Sequence, residues 1–234
     1  MTVTALVGRL TGVGRMTDAL RKGRRQLASD DEILEAAFES FAATHYDAMS
    51  VRRLNAALGL SHETVRQRFG SKYELYCAAV DHGVARFYEL LLEERSALGA
   101  ANDELVELRL MARAFIGASM RLPQLASLVN HEAGVAGGRL DYLFSTGFAP
   151  GLAIFADLLE RLIAREVIYP VTVRDLFFII DAGMSPFIQP GLSAAFDAAA
   201  GPLDATTHVE RFLDFVVRGL IRPAARVAPA VAAD

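Results

Sequence analysis

The sequence predicts an all-α protein. From Ser29 onward, apolar residues recur at the three- and four-residue spacing of amphipathic helices. No segment alternates apolar and polar residues for long enough to indicate a strand. With 53% apolar and 22% charged residues among 234, the composition is that of a globular protein that buries its own core. We therefore expect helices without a sheet.

The composition also excludes several kinds of site. A single cysteine, Cys77, cannot form an intramolecular disulfide, and we expect it to be a small core residue. The five histidines show no metal-ligand spacing, so no metal, cofactor or catalytic site is predicted. Charged residues interrupt the most apolar stretch, 152–168, before it reaches the roughly 18 residues that span a bilayer. We expect a cytoplasmic protein that is not integral to a membrane.

Residues 1–28 are predicted to form a flexible basic arm. Residues 1–29 contain six Arg or Lys against one acidic residue, Asp18. A secretory signal is the rival interpretation, but no sustained apolar region precedes Arg15. The formal net charge of -4 describes the whole chain and conceals this basic N-terminal part, since residues 1–75 hold 11 basic and 9 acidic side chains.

Two capping boxes delimit the helical part of residues 29–75. Ser29 with Glu32 is placed to start a first helix, and Ser71 with Glu74 to start a long one. The apolar stripe of the long helix comprises Tyr76, Val80, Val84, Phe87 and Leu91.

The segment between the boxes has the pattern of a helix-turn-helix. Ser50 is expected to cap a short helix that ends near Leu58, Gly59 to supply a positive-φ turn, and Ser61 to cap a second short helix. The apolar residues that would lock the two helices are Val51, Leu54, Leu58, Leu60, Val65 and Phe69.

The second short helix offers a polar face suited to a DNA groove. A helical wheel places Val65 inward, Gln67 outward, and Arg66 and Arg68 on the flanks that would meet phosphates. Gln67 is suited to pair with an adenine edge and Glu63 with a cytosine amine. The predicted DNA-binding residues are Ser50, Arg52, Ser61, His62, Glu63, Thr64, Arg66, Gln67, Arg68 and Lys72. An ordinary solvated helix face remains the alternative on these residues alone.

The stretch from Ile33 to Leu75 resembles the DNA-binding domain of TetR-family transcriptional regulators. The matching residues include Ile33, Ala36, Ala37, Phe41, Tyr46, Ser50, Val51, Gly59, Ser61, Thr64, Phe69, Ser71, Lys72 and Leu75. The departures are His45 and Glu63 for glycine, Met49 for threonine, Asn55 for alanine, Arg66 for tyrosine and Arg68 for histidine. The resemblance implies that Arg66, Arg68 and Lys72 contact phosphate. Because His45 replaces a glycine, we expect the first helix to close differently here.

Residues 76–222 are predicted to form a helical effector-binding and dimerisation domain, followed by a disordered tail at 223–234. The resemblance implies that the last two long helices pack against a second subunit. Their apolar stripes supply the predicted dimerisation residues Leu176, Ile180, Met184, Phe187, Val209, Phe212, Leu213, Val216 and Leu220. A two-fold dimer would place its reading helices about one DNA turn apart, or a multiple of it.

An aromatic-rich set in this domain supplies the candidate effector contacts. They are Met111, Phe115, His131, Tyr142, Phe144, Phe148, Phe155, Phe177 and Phe178. Most are expected to be core residues, and for His131 a capping or solvated position at a helix end is the alternative. Such residues favour an apolar or aromatic small molecule with one polar group.

The sequence thus predicts a homodimeric regulator that binds double-stranded DNA. We expect a repressor that leaves a palindromic operator when it binds a small, largely apolar molecule. The alternatives are a helical dimer that binds a hydrophobic ligand or a partner protein without DNA, and a membrane-surface protein. An enzyme is not expected, because Gly12–Val13–Gly14 lacks the strand and the third glycine of a dinucleotide loop.

Overall fold

Every regular element is a helix in the residues that the structure describes. A computed structural model describes residues 28–135 and 137–223. Its elements are α1 Asp30–Ala48, α2 Val51–Ala57, α3 Thr64–Phe69, α4 Lys72–Ala97, α5 Glu104–Arg121, α6 Pro123–Ala133, α7 Gly138–Leu143, the π segment Phe144–Phe148, α8 Ala149–Ala164, α9 Val173–Ile188, α10 Pro190–Ala194, α11 Asp197–Ala200 and α12 Ala205–Leu220. An isolated antiparallel bridge joins Ile168 to Ile221. The all-α prediction is confirmed. The predicted arm and tail lie outside the described residues, except for residues 28 and 223.

Side-chain caps fix where most of the long helices begin. The hydroxyls of Ser29 and Ser71 accept the N–H of Glu32 and Glu74 at 3.2 Å. Each glutamate accepts the serine N–H at 2.7 Å in return, so both predicted capping boxes are confirmed. These hydrogen bonds lower the pKa of both glutamate carboxyls. Helix α9 begins with a third capping box, Thr172 with Asp175, whereas Asp103 and Asp204 cap α5 and α12 with a side-chain acceptor alone.

Helix α1 is broken near its end by His45. This residue has φ 64 and ψ 164, a conformation that costs a non-glycine residue about 1–3 kcal/mol. The His45 ring stacks on the ring of His131 in α6, with 3.5 Å between the centroids. His45 thus adopts a positive-φ conformation that favours glycine, the residue that the family pattern carries at this position.

Two buried clusters form the interior. The first joins α1–α4 to parts of α5, α6 and α7, and it includes Phe38, Phe41, Val65 and Tyr76. It continues along the long helix, so the predicted domain boundary after residue 75 falls inside α4 and that helix serves both parts of the chain.

The second cluster packs α5, α8, α9 and α12 around one another. Charged pairs reinforce this packing at the surface. Arg109 in α5 bonds to Glu210 at 2.8 Å and to Asp214 at 2.7 Å, both in α12. Arg161 in α8 and Arg165, just after that helix, bond to Glu104 in α5.

The π segment between α7 and α8 packs against α4. The hydroxyl of Tyr88 in α4 donates a 2.7 Å hydrogen bond to the carbonyl of Gly147. A Cβ on Gly147 would lie 3.0 Å from Val84, so glycine permits the close approach of the two helices. Burial raises the pKa of Tyr88 to about 12 and so keeps its hydroxyl protonated as a donor.

The run Gly138–Ala164 is, among the described residues, the one helix long and apolar enough by length and composition to cross a membrane. Its inward side chains Leu143, Leu158, Leu159 and Leu162 are buried in the two clusters. The sequence pattern placed the most apolar stretch at 152–168, because it did not indicate that residues 138–151 belong to the same helical run.

Candidate DNA interface and ligand groove

Helices α2 and α3 form the predicted helix-turn-helix. The turn between them contains Gly59 at φ 66, which confirms the predicted positive-φ position. Leu54, Leu60 and Val65 are buried where the two helices meet α1 and α4. Side chains of the turn and of the outer side of α3 are thereby left facing solvent.

Ser61 does not cap α3 as predicted. The helix begins at Thr64, its N-cap residue is Glu63, and no side chain of that residue caps it. The Ser61 hydroxyl instead pairs with the Thr64 hydroxyl at 2.7 Å, and its carbonyl accepts the Thr64 N–H at 3.1 Å. The prediction was wrong because two turn residues, His62 and Glu63, separate the serine from the helix.

The polar face of α3 is oriented as the helical wheel indicated. Val65 is 1% exposed, whereas Glu63, Arg66 and Gln67 are exposed. His62 and Arg52 are exposed beside them, while Ser50 and Thr64 are half-buried. Ser50 caps α2 by accepting the N–H of Arg53 at 3.4 Å.

Arg68 and Lys72 are tied to the protein's own backbone. Arg68 donates to the carbonyl of Ala28 at 2.6 Å and lies 3.4 Å from the carboxylate of Asp30. Lys72 donates to the carbonyl of Asp47 at 3.3 Å, and its ammonium lies 4.6 Å from the centre of the Tyr46 ring. Arg68 links the end of α3 to the start of α1, and Lys72 links the start of α4 to the end of α1. Both side chains are therefore less free to meet phosphate than Arg66.

Sequence reasoning missed three residues near this face. Arg53 is a further exposed cation on α2. Asn55 is fully buried between α2 and α3. Arg139, the second residue of α7, donates to both carboxylate oxygens of the buried Glu132 and lies 4.3 Å over the Tyr46 ring. Arg53 was visible as a charge beside Arg52, and Asn55 as a departure from the family pattern. Arg139 gave no signal, because it and Tyr46 are far apart in the sequence.

A groove of about 760 Å³ opens between α6, the run of α7, the π segment and α8, and α9. Its lining residues are Val129, Leu140, Leu143, Phe144, Phe148, Leu152, Thr172, Val173, Arg174, Asp175, Phe177 and Phe178. Four of the predicted effector residues, Phe144, Phe148, Phe177 and Phe178, line it. The polar groups gather at the N-terminus of α9, so the groove is apolar with one polar end.

Two further predicted residues lie behind the groove. Phe115 and Phe155 line small voids of about 40 and 30 Å³ that share Phe177 with it. The ring of Phe115 meets Phe177 edge to face at 6.3 Å. A shift of Phe177 would therefore join these voids to the groove.

The other three predicted effector residues do not line the groove. Met111 is buried in the second cluster. Tyr142 donates to the Asp81 carboxylate at 2.8 Å, on the side of α7 that faces α4. His131 stacks on His45 and borders a separate groove of about 700 Å³ next to α1. An aromatic or polar residue type carries no information about which side of its helix faces a cavity.

The predicted dimerisation residues lie inside the protomer instead of on its surface. Leu176, Ile180, Met184, Val209, Leu213, Val216 and Leu220 are buried in the second cluster, and Phe187 and Phe212 pack against it. They are the faces by which α9 and α12 pack on α5 and α8. The error arose because an apolar stripe shows only that one side of a helix is covered, and here the protomer's own second cluster covers it.

The outward sides of α9 and α12 expose large apolar side chains. Phe178 is 63% exposed and Phe215 is 78% exposed. Ile179 on α9 and Ile221 just after α12 are also exposed, at 40% and 38%. Exposed apolar residues on neighbouring helices are typical of an interface.

The sequence matches known bacterial regulators over its N-terminal part. Residues 33–79 match the family model of bacterial regulatory proteins of the tetR family. Over 71 residues the chain is 37% identical to the HTH-type transcriptional repressor AcnR of Corynebacterium efficiens and to that of Corynebacterium glutamicum. The match covers 30% of this chain and 38% of each relative, so the chain spans well under half the length of these curated relatives.

Solved structures share the fold over most of the chain. A putative fatty acid metabolism regulator from Clostridium perfringens superposes with a TM-score of 0.60 at 16% identity, over 82% of this chain and 99% of that one. A TetR family transcription regulator from Marinobacter aquaeolei VT8 gives 0.60 at 17% identity, over 82% and 94%. HlyIIR, a hemolysin II transcriptional regulator, gives 0.56 at 18% identity, over 82% and 96%. At these identities the likeness extends to the fold alone.

Proposed function

We propose, from the match of residues 33–79 to the family model of bacterial regulatory proteins of the tetR family, that this chain is a sequence-specific DNA-binding transcriptional repressor of that family. The observation that carries the proposal is the exposed polar side of α3, held outward by the buried Val65. A helix presented in this way fits the major groove of B-DNA. The two AcnR relatives that match 71 residues of the chain are named as transcriptional repressors.

The residues of α3 divide between reading bases and holding phosphates. Gln67 and Glu63 are exposed on the outer side and are suited to adenine and cytosine edges. Arg66 and Arg52 are the exposed cations that would meet the backbone on either side. Arg68 and Lys72 position the fold through their backbone bonds, and they reach phosphate only by exchanging those bonds.

The second part of the proposal is a homodimer formed by the outward sides of α9 and α12. Phe178 and Phe215 would lose their exposure in such a contact, and the burial of large apolar groups is the main stabilising term in stable dimers. Two-fold symmetry then yields paired reading helices and a palindromic site. A DNA-binding regulator of this kind acts in the cytoplasm.

The third part is control by a small, largely apolar molecule in the 760 Å³ groove. The aromatic lining suits an apolar body, and Thr172, Arg174 and Asp175 suit one polar group at the end of the ligand. Leu140 in α7 lines the groove, and its neighbour Arg139 contacts Tyr46 in α1 and Glu132 in α6. A ligand that displaces α7 would therefore change the support of the DNA-binding helices.

Binding to fragments of bacterial genomic DNA tests the proposal. The purified chain should retain a few fragments selectively in gel shifts against a large excess of random duplex. Retention without selectivity, or none at low ionic strength, would refute it and favour the alternative of a ligand-binding helical dimer that does not bind DNA.

A further inference from the structure

Asn55 makes hydrogen bonds that join the two helices of the helix-turn-helix. Its side-chain carbonyl accepts the N–H of Val65 at 3.3 Å, and its amide group donates to the carbonyl of His62 at 3.0 Å. Its backbone carbonyl accepts the N–H of Leu60 at 2.8 Å. Asn55 is 0% exposed and, with Glu132, is one of two buried polar or charged residues in the part of the chain that the structure describes.

Helix α3 depends on these bonds because it has no side-chain cap of its own. The six residues Thr64–Phe69 are too few to form a stable helix in isolation. The Glu63 side chain does not bond to the first turn, whereas α2 and α4 are capped by Ser50 and Ser71. The N–H of Val65 is one of the donors that a helix start leaves unpaired, and Asn55 accepts it from the preceding helix.

We infer that Asn55 is the positioning residue that fixes the start and the tilt of α3 and thereby aligns it for reading bases. The inference rests on the proposed DNA-binding function. Asn55 holds the turn at His62 and the first turn of α3 at Val65, and Glu63 lies between those two points. A rotation of α3 about its start would move Glu63 and Gln67 together relative to the base edges.

The expected consequence is a loss of selectivity with little change in electrostatic affinity. Bidentate hydrogen bonds to base edges require close alignment, whereas phosphate contacts from long arginine side chains tolerate small shifts. The alanine that the family pattern carries at this position has no side-chain hydrogen bonds, so this way of holding α3 is a property of the present sequence.

Asn55→Ala and Asn55→Asp, with the exposed Asn102→Ala as a matched control, test the inference. The operator is the duplex that the unsubstituted chain selects from a random pool. Fluorescence anisotropy then gives the ratio of operator affinity to random-duplex affinity for each protein, and circular dichroism shows that each is folded. Asn55→Ala should lower this ratio about tenfold, equivalent to ~1.4 kcal/mol, with an unchanged salt dependence on random duplex. Asn102→Ala should leave both unchanged.

Asn55→Asp separates positioning from general support of the fold. The aspartate keeps an acceptor for the Val65 N–H, but when ionised it places an oxygen against the His62 carbonyl in place of a donor. At pH 7.5 its selectivity should be reduced at least as far as that of Asn55→Ala. Protonation at pH 5.5 restores a donor, because burial raises the pKa of a carboxyl. Its selectivity should then recover relative to the unsubstituted chain at the same pH.

Several outcomes overturn the inference. One is an Asn55→Ala protein that is folded and as selective as the unsubstituted chain. Others are equal losses on operator and random duplex, or an Asn55→Asp selectivity that does not respond to pH. If Asn55→Ala does not fold, the Asn55→Asp pH profile decides alone. An unsubstituted chain that shows no selectivity refutes the proposed function, and this inference falls with it, whereas selectivity that survives at Asn55→Ala refutes only the inference.

Discussion

Arg66 and Arg68 should contribute unequally to DNA binding, although both flank the outer side of α3. Among the described residues, no carbonyl or carboxylate bonds to the exposed Arg66 side chain, whereas Arg68 is bonded to the carbonyl of Ala28 and lies near Asp30. Arg66 can meet a phosphate at once. Arg68 has first to give up bonds that stabilise the folded domain, so its net gain on binding is smaller.

The magnitude follows from counterion release. Each phosphate contact contributes about 0.9 to the slope of log affinity against log salt concentration, and a dimer makes each contact twice. Arg66→Gln should therefore flatten the slope by about 1.8, and Arg68→Gln by less than half as much. If only Arg52 and Arg66 contact phosphate in each subunit, residues 28–223 of a dimer give a slope of log affinity against log salt concentration of about -4. Adding Arg68 and Lys72 gives about -7.

Anisotropy titrations of a labelled operator at several salt concentrations between 50 and 200 mM measure both slopes. Because Gln keeps a polar side chain of similar size, it isolates the charge. Equal flattening by the two substitutions would refute the assignment of Arg68 to the protein's own backbone. A larger effect of Arg68→Gln would show that the helical wheel is misassigned.

Four further outcomes are expected. Gln67→Ala should relax the preference at one base of each half-site, by about 1–3 kcal/mol, in a selection from random duplexes; an unchanged consensus would contradict this. Removal of residues 1–27 should flatten the salt slope, because residues 28–75 alone hold 5 basic and 8 acidic side chains; an equal slope would show that the arm does not contact DNA. Phe215→Ser should shift the chain towards monomer in analytical ultracentrifugation, since this ring is the most exposed of the large apolar side chains described. Glu74→Gln should make the stability to urea less sensitive to acid. The Ser71 N–H lowers the pKa of Glu74 from 4.5, so the contribution of this carboxylate to the free energy of unfolding is present above that value and is lost as the pH falls below it.

The local features of the fold were predictable because they depend on residues three or four apart. Ser29 with Glu32 and Ser71 with Glu74 fix two helix starts by contacts within one turn. Gly59 is similarly local, since a positive φ is a property of one residue. Such signals are complete in the sequence before any tertiary contact forms.

Tertiary choices were not predictable in the same way. The apolar stripes of α9 and α12 were visible in the sequence, but nothing in it determined whether the side that carries Leu213 would meet the protomer's own helices or a second subunit. The contact between Arg139 and Tyr46 joins distant residues whose types carry no mutual signal. Asn55 appeared in the sequence only as a departure from alanine, and its hydrogen bonds depend on the exact placement of α2 against α3.

Selection of bound duplexes from a random pool by the full chain tests the central claim most directly, namely that α3 reads DNA from a two-fold dimer. The account predicts enrichment of a palindromic consensus whose half-sites are about 10 base pairs apart, centre to centre, or a multiple of that spacing. A pool that shows no enrichment at low ionic strength, or a consensus without two-fold symmetry, would contradict it.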